Sequence, residues 1–281
     1  MNVTIIFFSQ TGNTRKVAEN MATVFQEAGH SVQTIPLKKA TPDDATKCDL
    51  LGIGAPCFVH QAPTPIKNYL RSLPSLNSKR SFVFATSAAA PGRVLYDMTK
   101  LLQHKGANVI GGFLARGEIY YPVPYLIGKF PGHPNEEDLD RARHFASAVI
   151  EHVSASHSGP LPESRTDALR PGRRLYDLMG LAFSDPSIRL VMPEPKPDPT
   201  KCDQCQWCVY ECPMDNITLQ PYPVLDDRCI RCYRCLTGCP QEAFSLGKVQ
   251  SQLFNVVATI MYNPHFGRWF GDLKPGEQVY G

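Results

Sequence analysis

Over the first 157 residues, short runs of β-branched and aromatic residues alternate with stretches in which apolar residues recur every three or four positions. The short runs predict strands from Val3 to Phe8, Val32 to Leu37, Leu50 to Gly54, Phe82 to Thr86 and Val109 to Leu114. The longer stretches predict helices, with Val17, Met21 and Phe25 on one face of the first, and Leu95, Met98, Leu101 and Leu102 on one face of a later one. Strands joined through helices build parallel sheets, so this order predicts an α/β domain over 1–157 with a five-stranded, doubly wound parallel sheet.

Past residue 157 the pattern breaks. Residues 158–197 predict a linker that begins in the Pro-rich SGPLPESR and ends within the Pro-rich MPEPKPDPT, around one helix from Gly172 to Phe183. Residues 198–248 repeat with a period of 27: Cys202, Cys205, Cys208 and Cys212 recur as Cys229, Cys232, Cys235 and Cys239, and Pro213, Ile217 and Leu219 recur as Pro240, Phe244 and Leu246. Each half supplies the same loop followed by the same apolar pair. Residues 249–281 begin amphipathically and carry Phe266, Trp269 and Phe270, which predicts an extension packed on the other domains.

Composition narrows the classes. A chain of 281 residues exceeds the usual single core, and 43% hydrophobic content with 20% charge is that of a globular protein. The net charge of +3 is spread thinly, which argues against a nucleic-acid partner. MNVTIIFFS lacks the basic start and cleavage signal of a leader, and LFNVVATIMY falls short of the roughly 18 apolar residues of a membrane span. The expected location is the cytoplasm, without a transmembrane segment. There, ten cysteines argue for metal ligation over disulfides.

The segments KCDQCQWCVYECP and RCIRCYRCLTGCP place four thiolates each at a spacing that suits a cubane iron–sulfur cluster: three close cysteines wrap one cluster and the fourth points to a second. Zinc knuckles would favour two separated pairs, often with histidine, and no His lies between residues 158 and 264. About fifty residues here resemble the bacterial two-cluster ferredoxins, small α+β domains. The resemblance implies two 4Fe-4S clusters with crossed ligation, one held by Cys202, Cys205, Cys208 and Cys239 and the other by Cys229, Cys232, Cys235 and Cys212. Arg228, Arg231 and Arg234 flank the second repeat, where the first has Asp203, so the second cluster is expected to be the easier to reduce.

In the N-terminal part, FFSQTGNTRKVAENM runs from a strand through a Gly-containing turn into a helix. Backbone N–H groups at that helix start, with the side chains of Ser9, Thr11, Asn13 and Thr14 and the turn at Gly12, suit a phosphate; an ordinary capped turn is the plainer reading of the same residues. The chain lacks GxxxxGK[ST], and GIGAPC does not complete GxGxxG. With the five-strand alternation, SQTGNT resembles the phosphate loop of flavodoxins. That resemblance implies FMN and not FAD. It also implies ring contacts from Ala55, Pro56, Cys57 and Phe58 after the third strand, from Thr86, Ser87, Ala88 and Gly92 after the fourth, and from Tyr120, beside Tyr121, after the fifth. Cys57 and Cys48 read as buried structural thiols.

Taken together, the chain resembles flavodoxin–ferredoxin fusions. This implies an electron-transfer protein that exchanges one- and two-electron equivalents with a redox partner protein, a ferredoxin-dependent reductase or an electron donor. No catalytic side chain is assigned. The alternative is an iron–sulfur flavoenzyme that reduces a small substrate under IYYPVPYLIGKFPGHP, residues 119–134. Whether the flavin faces the clusters within one chain or across a homodimer stays open.

Overall fold

The computed structural model describes residues 1–88, 91–119, 131–155, 159–162, 165–167, 169 and 185–261. They form two compact units, one of residues 1–118, 131–155 and the described part of 159–169, the other of residues 185–261. The helix expected from Gly172 to Phe183, Tyr120, Tyr121 and the cluster of Phe266, Trp269 and Phe270 lie outside the described residues.

In the first unit β1 (Asn2–Phe7), α1 (Asn13–Glu27), β2 (Ser31–Pro36), α2 (Pro42–Thr46), β3 (Leu50–Pro56), α3 (Thr64–Ser72), β4 (Arg80–Ser87), α4 (Val94–His104), β5 (Asn108–Arg116) and α5 (Glu136–Ser154) follow one another. All five strands are parallel, in the order β2-β1-β3-β4-β5. Each expected strand is present, shifted or lengthened by a few residues at its ends.

Successive side chains on a strand point to opposite faces. Ile5, Phe7, Phe82, Phe84 and Phe113 enter the core with Val17, Met21 and Phe25 of α1 and with Phe145 of α5. Ile6, Leu51, Ile53, Val83 and Leu114 enter a second core with Ile66 and Leu70 of α3 and with Leu95, Met98 and Leu102 of α4. Burial on both faces explains why the strands read as continuous apolar runs. Phe82 is central, with ring centroids 5.9 Å from both Phe25 and Phe145. The glycines of GIGAP make room for such rings: a methyl on Gly52 would lie 2.5 Å from Phe82 Cζ, and one on Gly54 2.1 Å from Phe84 Cζ.

The edge strand β5 is covered by the chain after α5. Leu161 N–H donates to Ile110 O at 2.7 Å, Asp167 N–H to Gly112 O at 2.8 Å, Gly112 N–H to Thr166 Oγ1 at 2.7 Å and Leu114 N–H to Asp167 Oδ2 at 2.7 Å. The start of the Pro-rich stretch therefore completes this sheet's hydrogen bonding and blunts its edge.

The second unit contains α6 (Asp185–Val191), β6 (Pro195–Pro197), α7 (Trp207–Glu211), β7 (Ile217–Leu219), β8 (Pro223–Leu225), α8 (Arg234–Gly238), β9 (Phe244–Leu246) and α9 (Lys248–Met261). β6 pairs antiparallel with β9, and β7 with β8. The sheet thus begins at Pro195, upstream of the cysteine repeat. α7 and α8, like β7 and β9, lie 27 residues apart, so the repeat in sequence is a repeat in structure. Its shared core is Cys208, Ile217, Cys235 and Phe244. No helix among the described residues is long and apolar enough to cross a membrane.

Candidate functional site

Strand order reverses between β1 and β3, and the loops after these strands flank the crevice at their C-terminal ends, where open α/β sheets bind ligands. The loop after β1 turns on Gly12, whose φ of +102° is a conformation that favours glycine. No side chain caps the start of α1 at Gly12. Ser9 Oγ accepts from Arg15 N–H, in the first turn of the helix, at 3.2 Å. Thr11 and Gly12 are exposed, whereas Thr14 is buried with its hydroxyl 2.8 Å from that of Thr86 at the end of β4. Asn13 Nδ2 donates to Glu118 O at 3.2 Å, just past β5. The helix start is therefore stapled to two neighbouring strands, and Thr11 is the hydroxyl left facing solvent.

The other two expected loops interlock. Cys57 N–H donates to Thr86 O at 2.7 Å, and Arg93 N–H donates to His60 O at 2.8 Å. Gly92, at φ +50°, approaches so closely that a methyl there would lie 2.2 Å from His60 O. Asp97 ties both loops together, accepting from Ala62 N–H at 3.2 Å and pairing with Arg93 at 2.6 Å. Ala55 is buried and Pro56 partly exposed; Thr86 and Ser87 are buried and Ala88 half-buried. Phe58, 3% exposed, bridges to Gln61, so its ring is packed within the protein. Burial pushes the Cys57 thiol up to about 12, and its S–H donates to Pro91 O at 3.4 Å. Burial raises Cys48 as well. Most of residues 119–134, expected over a substrate pocket, lie outside the described residues.

In the second unit the eight repeat cysteines gather into two hollows. One is lined by Cys202, Cys205, Cys208 and Cys239, the other by Cys229, Cys232, Cys235 and Cys212. Each takes three cysteines from one repeat and the last from the other. Burial pushes Cys208 up to about 11, with Cys202, Cys239 and Cys205 adding to the shift; burial pushes Cys232 up to about 12, with Cys229 and Cys212 adding. Backbone N–H groups of Asn216 and Ala243 donate to Cys212 Sγ and Cys239 Sγ, each at 3.4 Å. Among the described residues, no three or more His, Cys, Asp or Glu side chains are grouped to hold a single metal ion.

The loops around the hollows are wound alike. Gln204, Gln206 and Asp215 have positive φ, as do Arg231, Tyr233 and Glu242, each 27 residues on. Left-handed backbone costs a residue with a side chain about 1 to 2 kcal/mol, so the winding is held by what surrounds it.

The arginines of the second repeat are not free charges. Arg228 pairs with Asp226 at 2.6 Å, Arg231 with Glu194 at 2.9 Å and Arg234 with Glu211. The expected contrast between a basic and an acidic repeat is therefore largely neutralised by carboxylates placed beside each guanidinium. The sequence reading missed Arg93, Asp97 and Asn216. Only Arg93 and Asp97 left a local signal, an opposite-charge pair four residues apart at a helix start.

Residues 4–127 match a family model described as a flavodoxin domain, and with the strand order this shows a flavodoxin-like domain in the N-terminal half. Such a fold suggests FMN-binding electron transfer. The chain is similar to an uncharacterized protein of Methanocaldococcus jannaschii, 27% identical over 141 residues, which are 49% of this chain and 90% of that protein. Among solved structures it is similar to a flavodoxin from the domain Archaea, with a TM-score of 0.45 and 17% identity over 55% of this chain and 99% of that one. It is also similar to the two-electron reduced flavodoxin of Megasphaera elsdenii, with a TM-score of 0.39 and 22% identity over 52% of this chain and 99% of that one.

Proposed function

We propose that this chain is an electron-transfer protein that binds FMN at the β1–β3 crevice of its first unit and two cubane 4Fe-4S clusters in the hollows of its second. It would exchange electrons with a redox partner protein. The observation that carries the reading is the crossed membership of the hollows, three cysteines from one repeat and the fourth from the other. Soft thiolates in fours suit iron–sulfur chemistry, and the N–H groups of Asn216 and Ala243 favour the anionic form of the fourth sulfur in each set.

When bound, FMN exchanges electrons singly or in pairs and each cluster exchanges one, so the protein's task is to bind, orient and tune them. Thr11 and the backbone N–H groups at the start of α1 would take the phosphate, since N–H groups at a helix N-terminus attract anions. The interlocked loops at Cys57–His60 and Gly92–Arg93 would shape the ring site and hold it rigid.

The test is the anaerobically reconstituted full chain, analysed for metal, acid-labile sulfide and heat-released flavin. The expected content is about eight iron and eight sulfide per chain, as two cubanes require, together with FMN. Zinc bound in place of iron would overturn the cluster assignment, and FAD on release would overturn the single-phosphate site.

A further inference from the structure

The two halves of the second unit wind their loops alike, and on the walls of the two hollows they differ in polarity at one buried pair of repeat mates, Asn216 and Ala243. Asn216 and Ala243 stand 27 residues apart and do the same backbone work. Their N–H groups donate to Cys212 Sγ and Cys239 Sγ, and their carbonyls accept from Asp226 N–H at 3.1 Å and Asp198 N–H at 2.7 Å. Each lines the hollow of its half, Asn216 beside Cys212, Cys229, Cys232 and Cys235, and Ala243 beside Cys202, Cys205, Cys208 and Cys239. The fold is thus satisfied by a methyl at this place, and the asparagine side chain is an addition to one half only.

That side chain is 2% exposed and half used. Its Oδ1 accepts from Arg228 N–H at 3.1 Å, which sets the orientation of the amide and turns Nδ2 the other way. Nδ2 is buried and has no hydrogen-bond partner among the described residues. Buried amide donors are nearly always paired, and one left over on the wall of a hollow calls for an acceptor inside it. The Oδ1 contact does not explain the residue, because Arg228 N–H has a second acceptor in Asp226 Oδ1 at 2.8 Å.

We propose that Asn216 Nδ2–H donates a hydrogen bond to the sulfur-rich group seated among Cys212, Cys229, Cys232 and Cys235, making it the easier of the two groups to reduce. The inference rests on the cluster reading above. Reduction adds negative charge, and a donor held against that charge in a buried site stabilises the reduced form more than the oxidised one. Ala243 offers no such donor to the other hollow. Asn216 is a tuning residue.

EPR-monitored redox titration of the reconstituted full chain tests this with two variants. Asn216→Ala gives both halves the same residue at this position. It should keep its full iron content, lower the higher midpoint by about tenfold in the reduction equilibrium, which is about 59 mV for one electron, and leave the lower midpoint in place. Ala243→Asn adds a donor to the other half and should raise the lower midpoint. Full iron with both midpoints unmoved in Asn216→Ala overturns the proposal. If Asn216→Ala loses iron, the decision passes to Ala243→Asn, where an unmoved lower midpoint overturns it. A wild-type chain that takes up no iron instead overturns the cluster reading itself, and this inference with it.

Discussion

The Arg234 guanidinium lies 5.3 Å over the ring of Trp207, and the two residues hold the same place in the 27-residue repeat. They meet where α7 and α8 pack, and the partner of each is the repeat mate of the other's. Trp207 lies against Gly238, while Arg234 pairs with Glu211, 27 residues before Gly238. One contact is apolar and the other ionic, so the duplicated helices close on each other with a single Trp and a single Arg stacked at the join.

Gly238→Ala should damage this join, because the added methyl would lie 2.0 Å from Trp207 Cη2. Overpacking of this kind costs about 1 to 3 kcal/mol. A lower thermal midpoint of the reconstituted protein is expected, and Trp207→Leu in the same chain should remove most of the penalty. Simple additivity of the two substitutions would show that the ring and the glycine do not act as one contact.

Thr11 and Thr14 should behave differently although both lie in the phosphate-loop motif. Thr14→Val removes a buried hydroxyl pair and should cost about 1 kcal/mol of stability. Thr86→Val added to it should cost little more, since both partners are then gone. Thr11→Ala should leave unfolding unchanged and weaken FMN binding by the roughly 1.5 to 3 kcal/mol of a hydrogen bond to a charged group. Fluorescence titration of the flavin-free protein gives the affinities, and unchanged affinity in Thr11→Ala places the phosphate away from this loop.

Gly92→Ala should separate the two ring loops. Its φ of +50° disfavours any side chain, and the methyl meets His60 O, a backbone atom that cannot turn aside. We expect at least tenfold weaker flavin binding, with the stability of the first unit lowered by the roughly 1 to 3 kcal/mol of a strained backbone position. Unaltered binding would mean that the ring is held elsewhere.

Asp167 gives a pH signature. Burial pushes its carboxyl from the ordinary 3.8 up to about 6, opposed by the Leu114 N–H bond and by Arg141. The folded chain therefore binds this proton more tightly than the unfolded chain does. The associated stability is complete below about pH 4 and is lost as pH rises through about 6, with an upper bound of about 3 kcal/mol. Asp167→Asn keeps an acceptor for Leu114 N–H without the charge, so its stability advantage over the natural chain should grow between pH 4 and pH 7. A difference that stays flat with pH rules out the upward shift of the Asp167 carboxyl.

The five strands, the helices that cover them and the doubled cysteine loop were legible in the sequence because each depends on local spacing. Continuous apolar runs mark β1 and β4 as strands buried on both faces, and the distances between Cys202, Cys205 and Cys208 set how one loop can wrap. The contacts that distinguish one half from the other were not legible. That Thr14 turns to Thr86, that Arg231 is cancelled by Glu194, that Thr166 and Asp167 seal β5, and that the Asn216 amide is left with an open donor all depend on segments distant in sequence meeting at one place. A hydrogen bond or ion pair is decided over about 3 Å, a scale on which only the packed chain determines which donor meets which acceptor.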